Sequence, residues 1–388
     1  MKPALRLGAV GFGLIAVCYG FARFAFGLFL PEVDADLSLG PALSGVLSGG
    51  SFLGYCLTII ASAVLTERFG ARAVAIAAAL VAAAGMAAIA AAPNAAWLAG
   101  AVLLAGSSTG LASPPMAAAV AASVRAERQD ATNTAINAGT SAGVALSGPV
   151  ALAIGGEWRL AFAGFAALAV VVALAAAVAV PPTRRNSAKG SHLPPVTGPL
   201  MRLVAAYFLM GAASTSLWSF GGEIASQRLG WGTSGIGVLW TAIGIAGIAG
   251  ASAGTLVKRF GVDRTHRAFL TMMALGILAT GSALATPATT LAGGALFGAA
   301  YVMLTGIYLV WGVAALSDRP ATGLMIGFLT IAIGQTAGAP LFGFILDAFG
   351  PDQAVIVFAA IGLAAGMMGY ERVGLFGAPA ARRCTEAR

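Results

Sequence analysis

The stretch TERFGAR at residues 66–72 returns as VKRFGVDR at residues 257–264, and Gly70 and Gly261 stand 191 positions apart. SGP at 147–149 and GAP at 338–340 repeat that spacing through Pro149 and Pro340, and Pro93 and Pro287 echo it at a similar offset. Two independent matches at one spacing mark a duplicated unit. Each RFG loop follows the second hydrophobic run of its half, so the repeat organises the whole chain.

Those runs decide the class. Hydrophobic residues make up 59% of the chain and charged residues 9%, with a mean hydropathy of +0.90. A soluble domain carries about 25% charged residues, so a soluble fold is excluded. Hydrophobic segments fall at 8–30, 42–65, 73–92, 96–120, 131–154, 159–180, 200–226, 233–256, 267–286, 289–316, 322–346 and 352–371. A bilayer core needs about 20 apolar residues per helix, and a backbone in lipid must satisfy its own hydrogen bonds. The expectation is an all-α integral membrane protein, twelve transmembrane helices in two pseudo-symmetric six-helix bundles. The one extended polar stretch, PPTRRNSAKGSHLPPVTGP at 181–199, reads as a linker. It divides the chain into bundles at 1–180 and 200–388.

Basic residues set the orientation. Lys2, Arg6, Arg68, Arg72, Arg125, Arg128, Arg184, Arg185, Lys189, Arg202, Lys258, Arg259, Arg264, Arg267, Arg319 and the tail arginines all fall on one side, with only Arg159 and Arg228 on the other. Glu32, Asp34, Asp36, Glu157, Asp347 and Asp352 collect opposite them. Short loops rich in Lys and Arg stay inside, which predicts cytoplasmic termini in a plasma (cell inner) membrane. The pI of 9.9 therefore points to the anionic inner leaflet, not to nucleic acid. The first run is too long for the apolar core of a cleaved signal. Cys18, Cys56 and Cys384 read as packing residues and a free thiol.

Arg23 is the anomaly. It lies in the middle of GFGLIAVCYGFARFAFGLFL (11–30), where an arginine costs roughly 2.5–3.5 kcal/mol on insertion scales. Helical spacing puts Tyr19 and Phe26 on its stripe. Two readings stand: an anion site or gate element, since guanidinium stacks on rings and grips carboxylates, or a structural pairing with a backbone carbonyl. Glu223 lies eight residues before Trp231, as Arg23 lies eight before Pro31. The two are expected at comparable depth, able to pair when the outer gate closes. Further candidates are Asn137, Gln335, and the stripe Tyr301, Thr305 and Tyr308. For Ser48, Ser51, Tyr55, Thr58 and Ser62, helix packing is the better reading.

With these residues in place, the chain resembles the major facilitator superfamily. Its loop motif, roughly GxxxDRxGRR, is similar to AVLTERFGAR (63–72), with Glu67 for the acid but Ala63 and Ala71 where Gly and Arg are usual. GTLVKRFGVDR (254–264) keeps Gly254, Arg259 and Gly261 and has Lys258 at the acidic position. GVALSGPVALAIGG (143–156) is similar to a signature of proton-driven exporters, EWRLAF (157–162) resembles the usual opening of the sixth helix, and YGFARFAFGLFLP (19–31) resembles the YbfB-type branch. The resemblance implies two bundles rocking around a central cavity. It also implies a conformational latch in the loops after helices 2 and 8, involving Glu67, Arg68, Gly70, Arg72, Arg259 and Gly261.

Other chemistries lack their residues. There is no Walker A sequence, and His192 and His266 fall in predicted loops, which leaves no histidine for a membrane metal site or relay. No acid, base and nucleophile converge, so no enzyme is expected, and nothing calls for a cofactor or metal. The function expected is secondary active transport of a small organic solute, anionic or amphipathic, by a monomer. Protons are a candidate coupling ion. Proton-driven export of hydrophobic compounds is the alternative, and a non-transporting sensor or scaffold is the minor one.

Overall fold

The computed structural model describes residues 3–182, 198–316 and 320–369. Most of the basic linker, Lys2, Arg319, and the tail with Cys384 lie outside the described residues. Among the described residues every regular element is helical. The helices form rods, labelled in chain order. In the first half these are α1 (Ala4–Leu37), α2 (Gly40–Phe69), α3 (Ala71–Ala90), α4 (Ala95–Ser123), α5 (Ala126–Asn137 continued by Gly139–Ile154) and α6 (Trp158–Ala179). In the second they are α7 (Gly198–Trp218, then Gly221–Leu229), α8 (Thr233–Phe260), α9 (Val262–Gly281), α10 (Pro287–Ala315), α11 (Pro320–Phe349) and α12 (Pro351–Ala365).

Length and apolarity qualify nine helices among the described residues to cross a membrane, against the twelve expected. The rods that fall short are α5, broken at Ala138, α9, whose first turns carry Asp263, Arg264 and Arg267, and α12, with 15 residues. The segment expected at 200–226 also breaks, at Ser219 and Phe220. Pro114 and Pro115, by contrast, lie within an unbroken α4.

The duplicated loops are duplicated in backbone. Gly70 has φ +85° and Gly261 φ +82°, a region that only glycine enters freely. Each glycine N–H closes the last turn before it, on Thr66 O and Val257 O, both at 2.9 Å. Each carbonyl then opens the next helix, accepting from Val74 N and Thr265 N, both at 3.3 Å. Packing repeats as well: α2 lies on α4 as α8 lies on α10, α3 on α4 and α6 as α9 on α10 and α12, and α1 on α5 as α7 on α11. The halves meet where α2 packs on α11 and α5 on α8, and where the later part of α1 meets α7 and α8.

Small residues set these distances. Lipid offers no hydrophobic drive between helices, so association depends on close backbone approach. At the crossing of α1 and α5, a Cβ on Gly20 would stand 2.4 Å from Gly143 Cα, and one on Gly143 would stand 2.4 Å from Ala16 O. A Cβ on Gly100 of α4 meets nothing within 4 Å. Gly143→Val is therefore expected to cost about 1–3 kcal/mol through overpacking. Gly100→Ala should leave stability unchanged or raise it by up to about 1 kcal/mol. Thermal unfolding in detergent, followed by size-exclusion chromatography, checks both.

Candidate functional site

Arg23 sits in a stretch of α1, Ala16–Phe24, that is wound as a π-helix. The i→i+5 pattern closes with Ala25 N–H on Gly20 O. Such widened turns are rare and recur at functional sites.

Arg23 is only 6% exposed. Its Cζ lies 4.7 Å from the ring centre of Phe52, 4.8 Å from Tyr55, 5.2 Å from Phe24 and 5.8 Å from Tyr19. Its Nη2 donates to Gln335 Oε1 at 2.5 Å, across the boundary between the halves. The Gln335 amide in turn donates to Ser214 Oγ at 3.1 Å and to Tyr301 Oη at 3.2 Å. Trp218 stacks on Phe24 at 4.2 Å and meets Tyr301 edge-on at 5.2 Å. Tyr19 reaches Ser113 of α4 at 3.0 Å. Among the described residues Arg23 is the only buried arginine or lysine, and no carboxylate there bridges to it.

Magnitudes explain how the charge is tolerated. A hydrogen bond to a charged group contributes about 1.5–3 kcal/mol, and a desolvated cation–π contact up to about 2 kcal/mol. Together they offset the roughly 2.5–3.5 kcal/mol cost of insertion. Neither neutralises the charge, and Arg23 Nε remains buried without an acceptor.

The sequence-derived candidates separate into groups. Tyr19, Gln335 and Tyr301 join Arg23. Phe26 is buried, but the phenylalanine of α1 that lies against the guanidinium is Phe24. Asn137 is exposed at the break in α5. Thr305 bonds its own helix at Val302 O. Tyr308 meets Tyr207 edge-on at 4.3 Å and donates to Ala206 O, in a separate cluster. Glu223 accepts from Gln227 at 2.7 Å, and its charged neighbours are the acids Asp34 and Glu32. Arg23 and Glu223 do not pair in this structure. His266, expected in a loop, is fully buried in the second turn of α9, with Nε2 3.1 Å from Ala365 O and its ring against Tyr308 and Trp311. Its chain neighbours Asp263, Arg264 and Arg267 made the segment read as polar.

Spacing missed Phe24, Phe52, Ser214 and Trp218, and it assigned Tyr55 to helix packing. Phe52 and Tyr55 stand at i and i+3 on α2, a usable signal once a cation is known to need partners. The rest of the α2 stripe does pack, with Thr58 donating to Ser107 O and Ser62 to Leu111 O.

In the loop after α2, Glu67 is exposed, Arg68 lies over Phe69, and Arg72 Nε donates to Val180 O at 2.5 Å, tying the loop to the end of α6. In the second copy Arg259 lies over Phe260. The close contacts between halves lie elsewhere. A Cβ on Gly27 would stand 2.1 Å from Trp218 O, Trp240 Nε1 donates to Phe24 O, and Thr233 donates to Glu32. These three are on the side of Arg23 away from the RFG loops, while the seam of α5 and α8 continues on the other side, where a Cβ on Gly247 would stand 2.8 Å from Ser141 Oγ. Among the described residues no group of His, Cys, Asp and Glu is placed to hold a metal.

The duplicated helical architecture and the buried polar junction between its halves are those of a membrane transporter. The Major Facilitator Superfamily matches residues 12–332, and the chain belongs to that family. A comparison with curated proteins gives no match. Among solved structures the chain is similar to the nucleoside transporter NupG, with 14% identity over 95% of this chain and 98% of that one and a TM-score of 0.73. It is also similar to the xylose transporter XylE from E. coli in a partially occluded inward open conformation, with 13% identity, coverage of 95% and 97%, and a TM-score of 0.76. A bacterial homologue of the human lysosomal transporter Spinster, inward-facing and occupied, gives 14% identity, coverage of 94% and 95%, and a TM-score of 0.74. At these identities the likeness is one of fold.

Gln335→Leu removes the acceptor of a buried cation and is expected to lower stability by about 1.5–3 kcal/mol. Arg23→Leu combined with Gln335→Leu should recover most of that loss. Thermal unfolding of both single variants and the double variant measures the coupling.

Proposed function

We propose that this transporter moves a small organic anion, and that Arg23 is the group that binds it. The observation that carries the reading is a buried guanidinium with a neutral amide as its hydrogen-bonded partner. A buried charge without a counter-charge is costly, and a carboxylate supplies what Gln335 cannot. Tyr19, Gln335 and Tyr301 complete the site.

In this reading the twelve rods all cross the membrane, and bundles 1–180 and 200–388 rock about the site. The linker 181–199 and both termini are cytoplasmic in the inner membrane, and the protein works as a monomer of the YbfB-type branch. The contacts near Gly27, Trp218 and Glu32 then close the outer side, and solute enters and leaves through the end that carries the RFG loops. Glu67, Arg68, Gly70, Arg72, Arg259 and Gly261 act at that end as the latch of the alternate state. Glu223, beside Glu32 and Asp34 at the closed end, is the place where protons couple to opening.

Reconstituted in proteoliposomes, Arg23→Gln is expected to lower organic-acid uptake by about 100-fold, because a charge-assisted bidentate contact is lost, and Arg23→Lys should retain part of it. If Arg23→Gln leaves uptake of every tested anion intact, the anion reading is wrong, and resistance to lipophilic toxins becomes the activity to measure.

Closure at Gly27 has its own test. In a background without native cysteines, Ser219→Cys should resist a membrane-impermeant thiol reagent. Adding Gly27→Val, which cannot pack on Trp218 O, should speed labelling at least about tenfold, the population shift that some 1.4 kcal/mol produces.

A further inference from the structure

We infer that the solute is a monocarboxylate with an aromatic or similarly flat apolar body, bound at Arg23 in exchange for Gln335. This rests on the reading of Arg23 as an anion site and adds its valence and shape.

Uncommitted hydrogens define the valence. Both hydrogens of the Gln335 amide are engaged, on Ser214 and Tyr301, and its Oε1 accepts from Arg23. Tyr301 Oη accepts that bond, so its own hydrogen is left to donate. Arg23 Nε and Trp218 Nε1 are both buried and lack acceptors. These donors surround one ring, Phe24, which lies 5.2 Å from Arg23 Cζ, 4.2 Å from Trp218 and 6.4 Å from Tyr301. A junction with spare donors takes a group that only accepts, and an ionised carboxylate has that property. One positive charge meets one negative charge. Since Arg23 is the only buried arginine or lysine among the described residues, a second carboxylate or a doubly charged phosphate would be buried uncompensated.

The walls define the body. Tyr19, Phe24, Phe52 and Tyr55 surround the guanidinium, and Trp218 and Phe297 extend the ring stack beyond Phe24. Flat rings pack face-offset or edge-on against such walls. A hydrated sugar or a short acid such as acetate offers these rings no flat apolar face to pack against.

Gln335 sets the exchange. It lies on α11 and Arg23 on α1, so their bond spans the halves. A carboxylate that takes Nε and Nη2 together, in the bidentate geometry arginine favours, displaces Oε1 and frees that tie. Gln335 is thus a specificity-determining residue that holds the site when solute is absent.

Binding to the purified full-length protein, read from tryptophan fluorescence, tests this with benzoate, its neutral isostere benzamide, the dianion phthalate, and acetate. Benzoate is expected to bind at least about tenfold more tightly than each of the others, the discrimination that one desolvated charge or unfilled pocket imposes. With benzamide still weak, phthalate matching benzoate overturns the single charge and acetate matching benzoate overturns the flat apolar body, and either leaves the anion site standing. Benzamide matching benzoate, or no saturable binding of any carboxylate, overturns both. Gln335→Glu places a competing carboxylate on Arg23 and should weaken benzoate at least about tenfold at pH 7 while the unfolding temperature holds or rises. Wild-type affinity in that variant overturns the exchange. Gln335→Asn, too short to reach Arg23, keeps the test open if Gln335→Glu fails to fold, and it should bind benzoate more tightly than wild type.

Discussion

One hydrogen bond, from Arg23 Nη2 to Gln335 Oε1, reconciles the most costly residue in the chain with its position. A guanidinium in the middle of a hydrophobic run must find acceptors inside the protein, and the acceptor here belongs to the other half. The halves therefore meet at a polar junction that neither contains alone. Because Gln335 is neutral, the junction holds the cation without neutralising it. A carboxylate at position 335 would form a closed ion pair, whereas an amide leaves the charge available.

Around that junction the protein is built for proximity. Glycines at the crossing of α1 and α5 let backbones touch, and Gly27 lets α1 lie against Trp218 O. The π-helical stretch of Ala16–Phe24 places Tyr19 and Phe24 on the guanidinium together, with Phe52 and Tyr55 completing the shell from α2. The interactions within each half are mostly apolar and close. Those between halves combine small-residue contacts with a few replaceable hydrogen bonds, such as Thr233 to Glu32 and Trp240 to Phe24 O. Contacts of that kind can be exchanged at modest cost.

The sequence was legible wherever the physics is local or periodic. Apolar runs announce helices because lipid leaves the backbone no alternative, and the RFG repeat announced the duplicated architecture because Gly70 and Gly261 both need positive φ. Arg23 announced itself by cost, and Tyr19, Tyr301 and Gln335 by polarity in apolar surroundings. Legibility failed for the α1 ring beside the guanidinium, where helical spacing pointed to Phe26 and the packed neighbour is Phe24. It failed again where charged neighbours masked burial: His266 sits beside Arg267 in sequence yet packs against Tyr308 and Trp311. It failed for Glu223, because equal depth on cognate helices does not fix which way a side chain faces.

The sequence by itself therefore determined an all-helical membrane protein, its internal repeat and the presence of one buried cation. Each of these follows from composition, period or single-residue cost. Only the tertiary structure decided what the cation holds. The choice of Gln335 over Glu223, and of Phe24, Phe52 and Tyr55 as walls, depends on helix rotation and on the approach of two residues 312 positions apart along the chain. Those are properties of packing, and no local pattern encodes them.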